Sequence, residues 1–171
     1  MSIFSTHRLR LIFTLVCALA LSACGFQMRG LTNLSFENLY IQDHRLSITK
    51  ALKKSLSANG VTVVTDQQKA DLMLELMSET SEQKILSLSG GGKVREFELI
   101  YRVNFRLRDP SSELWGQMQT VEGRRDFSYD DSQLLAKQFE EARLFEDIKT
   151  DAVREIMRRL VVQKPAPKPA S

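Results

Sequence analysis

The chain has little cysteine: Cys17 and Cys24 are the only two in 171 residues. That count excludes a small domain stapled by disulfides. Histidine is equally scarce, at His7 and His44, and so few His and Cys ligands argue against a metal centre. There are only four prolines and eight glycines, with no collagen-like period, and 43% hydrophobic residues argue against a disordered chain. An excess of one charge sign is missing as well. The formal charge is +3, but Arg8 and Arg10 stand in an N-terminal stretch without acids. Without residues 1–23, 22 basic residues face 21 acidic ones, too even a balance for a nucleic-acid binder.

No catalytic constellation is visible. A Ser-His-Asp enzyme would have to use His44, which sits in the polar run Gln42-Asp43-His44-Arg45. The run Gly90-Gly91-Gly92-Lys93 lacks the earlier Gly and the following Ser or Thr of a phosphate loop. It reads as a hairpin tip. Asp130 and Asp131 are accounted for by helix capping. The expectation is a protein with no cofactor, no metal and no enzymatic activity.

What is present begins with an export signal. His7, Arg8 and Arg10 precede an apolar run over 11–21, too short to span a bilayer, and then Ser22 and Ala23. Leu21-Ser22-Ala23-Cys24 resembles the bacterial lipobox, which implies cleavage after residue 23 and acylation of Cys24. Each acyl chain contributes about 0.8 kcal/mol per buried CH₂, so several chains anchor almost permanently. Gly25 is not Asp, and by the same resemblance the destination is the periplasmic side of the outer membrane.

The expected organisation is a signal over 1–23, a lipidated tether over 24–34, a folded domain over 35–162 and a Pro/Lys tail over 163–171 that cannot form regular structure. Within the domain, 36–41 and 61–65 are short β-prone runs. Ile48, Ala51, Leu52 and Leu56 mark a helix from Ser47 that stops at Asn59-Gly60. Alternation predicts a strand over 72–77 and, most clearly, over 94–108. There Phe97, Leu99, Tyr101, Val103, Phe105 and Leu107 share one face, while Glu96, Glu98, Ile100, Arg102, Asn104, Arg106 and Arg108 share the other. Asp109-Pro110-Ser111-Ser112 is a turn, and 114–128 returns as a partner strand with Gly123 marking a bulge or bend. Asp130 opens a last helix of about 32 residues whose stripe runs Leu135, Ala142, Phe145, Ile148, Ala152, Ile156, Leu160. The predicted fold is α+β: a two-layer sandwich with two helices on one face of a four- to five-stranded, mostly antiparallel sheet.

Three further stretches resemble one family. Cys24-Gly25-Phe26-Gln27-Met28-Arg29-Gly30, Arg95-Glu96-Phe97-Glu98-Leu99, and Phe127-Ser128-Tyr129-Asp130-Asp131 with Leu134-Leu135-Ala136-Lys137 and Glu140-Glu141 are together similar to the lipopolysaccharide-assembly lipoproteins of the LptE family, over most of residues 21–160. The tip at 90–93 departs from that pattern, which often has an Arg or an aromatic there.

The resemblance implies a plug inside the LptD β-barrel that assists its assembly and the transport of lipopolysaccharide to the outer leaflet. The implied partners are that barrel, lipopolysaccharide and the membrane through acylated Cys24, with no nucleic acid. A barrel lumen is wet, so a plug should present a polar face. Arg102, Arg106 and Arg108 are the barrel-facing candidates, although a merely solvated sheet face has the same alternation. Lys93, Lys137 and Arg95 are the candidates for lipid A phosphates, since cations at one sheet end suit them. The alternative is a free-standing periplasmic lipoprotein that binds a small lipid or serves a transporter.

Overall fold

The computed structural model describes residues 34–163. The expected signal, Cys24, the tether up to residue 33 and the tail from 164 lie outside the described residues. Seven main elements follow in order: β1 (Asn38–Asp43), α1 (Ile48–Ala58), β2 (Thr62–Val64), β3 (Leu72–Leu88), β4 (Val94–Arg108), β5 (Gln119–Ser128) and α2 (Leu134–Val162). The strands form one sheet in the order β2-β1-β3-β4-β5. The two helices pack on one side of it.

The sheet is mixed. β1 runs parallel to β2 and β3, whereas β3, β4 and β5 form an antiparallel meander with the long ladders. Parallel neighbours need a crossover, and α1 supplies it between β1 and β2. Residues 61–65 thus do contribute a strand, of three residues.

β4 follows its alternation. Leu99, Tyr101, Val103 and Phe105 are all at most 1% exposed, against Leu52 and Leu56 of α1 and Ile148, Ile156 and Leu160 of α2 in a continuous core. Ile100 is the exception on the other face. It is buried because its register neighbours are Glu82 and Arg124, whose long stems cover apolar surface while their charges stay wet.

Four sequence expectations need adjusting. β3 runs on to Leu88, far beyond residue 77, since its polar second half is held by pairing with β4 and not by a buried face of its own. β5 begins at Gln119, because residues 114–118 fold back as a loop. Gly123 makes no bulge: it pairs regularly with Tyr101. A Cβ there would lie 2.5 Å from Ile148 Cγ2, so the glycine lets α2 approach the sheet closely. Finally α2 is 29 residues long, about 44 Å at 1.5 Å per residue, with its buried positions starting at Ile148. Leu135 was expected in the buried stripe but is 72% exposed.

The start of α1 is capped from a distance. Glu79 of β3 accepts hydrogen bonds from Ser47 N (2.6 Å), Ser47 Oγ (2.5 Å), Ile48 N (3.3 Å) and the Tyr101 hydroxyl (2.7 Å). A carboxylate there meets unpaired N–H groups and the positive end of the helix dipole. The far end stops as expected at Gly60, with φ +80° and Val61 N donating to Leu56 O.

Candidate functional site

The sheet face away from the helices carries a ladder of charges that answer one another. Arg102 of β4 bridges Glu122 of β5 and, at 3.0 Å, Glu82 of β3. Arg124 continues the row to Glu122 at 2.7 Å and Glu98 at 3.2 Å. Hydrogen bonds from Arg102 and then Arg124 hold the Glu122 carboxyl below its ordinary range. Next to them, Asn104 donates to Ser78 Oγ at 2.9 Å and accepts from Thr120 Oγ1 at 2.7 Å. Register explains these pairs: Arg102 stands opposite Glu122, and Asn104 opposite Ser78 and Thr120, while Glu82 and Glu98 reach their arginines diagonally on the same face.

Arg106 and Arg108 stand on the same face but under cover. Arg106 pairs with Glu75, which is 6% exposed and also receives Gln42 Nε2 at 3.3 Å and His44 Nε2 at 3.5 Å. The hydrogen bond from Arg106 outweighs burial and keeps the Glu75 carboxyl low. Arg108 directs Nη2 to Met73 Sδ at 2.9 Å. The indole of Trp115 lies over both guanidinium groups, 4.9 Å from Arg106 and 5.1 Å from Arg108. The three arginines therefore share one surface: Arg102 and Arg106 are ion-paired, whereas Arg108 meets only the thioether and the indole, and its Nε is buried without a hydrogen-bond partner among the described residues. A partner must exchange existing ion pairs, or bind through the polar groups between them.

Lys93, Lys137 and Arg95 come together at the opposite end of the sheet from Trp115. Tyr129 N donates to Arg95 O, joining the start of β4 to the junction that leads into α2. Asp130 folds that junction into a short 3-10 turn over Asp131–Gln133 by accepting from Ser132 N at 2.9 Å. Lys93 Nζ lies 3.8 Å from Asp131. Lys137 Nζ donates to Ser128 Oγ at 3.1 Å and pairs with Glu140 at 2.8 Å, not with Glu141. The Asp130 carboxyl is lowered first by its hydrogen bonds from Ser132 and then by both lysine charges, so the two cations share one acidic junction. Arg95 is exposed beside them.

An apolar rim at the same end escaped sequence reasoning. Ile85, Leu86 and Leu88 of β3 and Leu134, Leu135 and Phe139 of α2 are all between 47% and 76% exposed. Phe97, Phe127 and Tyr129 form the floor nearby, with ring centroids 5.8 Å and 5.1 Å apart. The helical spacing of 135 and 139 with 142 and 145 signals an apolar stripe. It does not say that burial begins only at Ile148. Trp115 was missed for a different reason: nothing in 114–118 distinguishes a returning strand from a loop lying on the sheet.

The comparisons agree with one another. The family model LptE, Lipopolysaccharide-assembly, matches residues 36–160. The chain is 24% identical over 161 residues to the LPS-assembly lipoprotein LptE of Yersinia enterocolitica, covering 91% of this chain and 77% of the relative. It is 26% identical to that of Photorhabdus laumondii, covering 91% and 86%. Among solved structures, an uncharacterized lipoprotein B from Nitrosomonas europaea is similar at 37% identity with a TM-score of 0.67, over 80% of this chain and 90% of that one. The rare lipoprotein B from Shewanella oneidensis is similar at 29% and 0.65, over 72% and 93%.

Proposed function

Since this chain belongs to the LptE lipopolysaccharide-assembly family, we propose that it serves lipopolysaccharide assembly as a non-enzymatic lipoprotein. In this reading Cys24 is acylated and anchors it to the periplasmic side of the outer membrane. The domain lodges as a plug in an LptD-type β-barrel, assists that barrel's assembly, and meets lipopolysaccharide through Lys93, Lys137 and Arg95.

The observation that carries the plug is the self-neutralised sheet face around Arg102. Its carboxylates and guanidinium groups are already paired, so entering a wet lumen leaves no bare charge to desolvate. The clefts between β5 and α2 are lined by Glu155, Arg158 and Arg159 and do not resemble an apolar lipid pocket. That weighs against the free-standing lipid binder. Solubilised outer membranes should yield the protein in stoichiometric complex with a large barrel. A lone monomer would favour the alternative. Cys24→Ala should leave an uncut or soluble, mislocalised protein with its domain intact, and unchanged tight attachment of a processed chain to the outer membrane would refute the anchor.

The lysine end is where phosphate recognition is tested. Lys93→Glu with Lys137→Glu should lower lipopolysaccharide binding at low salt about tenfold or more, roughly 1.4 kcal/mol, with circular dichroism and barrel association unchanged. Because Asp131 and Glu140 occupy these cations, Asp131→Asn should act the other way and strengthen binding. Wild-type affinity in the double reversal would eliminate the patch.

A further inference from the structure

The exposed large hydrophobic residues, Met77 apart, collect at the two ends of the sandwich. One group is the rim beside Lys93. The other is Leu114 (81% exposed), Met118 (61%) and Val162 (77%). Its place in the fold is defined by register. Leu39 of β1 pairs with Leu72, Met73 with Arg108, and Phe105 with Gln119. Gln119 shares a cleft with Val162 and Gln163, and Ser35 Oγ donates to Gln163 O at 2.6 Å. The first described residues, the loop 109–118 and the end of α2 therefore stand at one end of the molecule.

That is the end at which the tether arrives. Leu34 follows Cys24 by ten residue steps, and fully extended these span at most about 36 Å. The 15 residues of β4 run about 50 Å at the rise of a strand. An acyl anchor on Cys24 thus keeps the 109–118 end within about 36 Å of the bilayer, while the tip at 90–93 can lie the length of β4 farther away.

The loop is built to present its apolar side chains rather than to hide them. Gly116 N donates to Leu107 O at 2.8 Å, tying the loop back onto β4. The indole is pinned over Arg106 and Arg108, so Leu114 and Met118 stay outside. A half-buried tryptophan flanked by exposed apolar residues suits the headgroup level of a membrane, where one edge of the ring is wet and the other dry.

We propose that the loop 109–118, with Leu114, Trp115 and Met118, is a second membrane contact that rests in the phospholipid leaflet carrying the Cys24 anchor before the domain enters a barrel. This rests on the acylation of Cys24 proposed above. The loop orients the domain at the bilayer, and the acyl chains supply the affinity.

Trp115 is the sole tryptophan of the chain and reports on the loop directly. The full chain, exported and processed in cells, is purified and added to phosphatidylethanolamine–phosphatidylglycerol vesicles without any barrel. Its mass reads acylation and its fluorescence reads the loop. Trp115 should be quenched at least twofold by phospholipids brominated near the headgroup, less by deeper bromines, and its access to acrylamide should fall. Leu114→Glu with Met118→Glu should stay on the vesicles but lose that quenching. An acylated chain whose Trp115 is unquenched by every brominated lipid refutes the loop contact while the anchor stands. Shielding from acrylamide without bromine quenching also overturns it, because protein and not lipid then covers the loop. An unacylated mass with no quenching removes the anchor and the proposal with it.

Discussion

Val103→Asp is expected to leave no cooperatively folded domain. Val103 is fully buried, paired across the sheet with Val121 on one side and Glu79 on the other. The substitution removes about 1.5–3 kcal/mol of apolar burial and adds the cost of an uncompensated charge, several kcal/mol more. Its register neighbour is another carboxylate, so no counter-ion relieves it. A domain of this size is stable by about 5–15 kcal/mol, and the combined loss consumes most of that. Arg102→Ser, one residue earlier on the other face, should leave stability nearly unchanged, because the ion pairs it breaks lie at the surface. Denaturant unfolding followed by circular dichroism separates the two. Similar losses in both variants would mean that the sheet faces are assigned the wrong way round.

Glu79→Ala should be the second most damaging change, with a loss of about 2–4 kcal/mol. It strips the start of α1 of its acceptor and leaves the hydroxyl of Tyr101, 1% exposed, without its partner. The effect depends on pH. Burial pushes the Glu79 carboxyl up, but the hydrogen bonds from Ser47, Tyr101 and Ile48 outweigh it, and the group is held below its ordinary value of 4.5. A carboxyl depressed by folding contributes stability that is complete above 4.5 and disappears as pH falls through the folded value. The gap between wild type and Glu79→Ala should therefore be largest at neutral pH and narrow in acid. A gap of the same size at pH 3 and pH 7 would show that the charge is not what holds α1. Burial also pushes the Tyr101 hydroxyl upward, reinforced by Glu79, so Tyr101 remains the donor throughout this range.

Much of the architecture was legible in the sequence because it rests on local periodicity. Residues 94–108 alternate so regularly that both bounds of β4 were readable, and so were the stop at Gly60 and the two-layer α+β class. The polar half of β3 was not, because Ser78 to Ser87 carry no buried stripe and are strand only by pairing with β4. The candidate sites divide along the same line. Alternation placed Arg102, Arg106 and Arg108 on one face, and hairpin order placed Lys93 and Lys137 at one end.

Which groups those charges meet was decided elsewhere. Glu122 meets Arg102, Glu75 meets Arg106 and Glu79 meets Tyr101 through register between strands, and a shift between Leu76 and Ser78 resets every pair beyond it. Trp115 reaches Arg108 because a loop folds back, and Phe139 stays in water because the buried part of α2 begins only at Ile148. Which side chains share a face follows from the 2.0 and 3.6 residue periods of strand and helix and is readable along the chain. Which of them are paired, covered or left open depends on how the elements are laid against one another, and no period along a single chain encodes that.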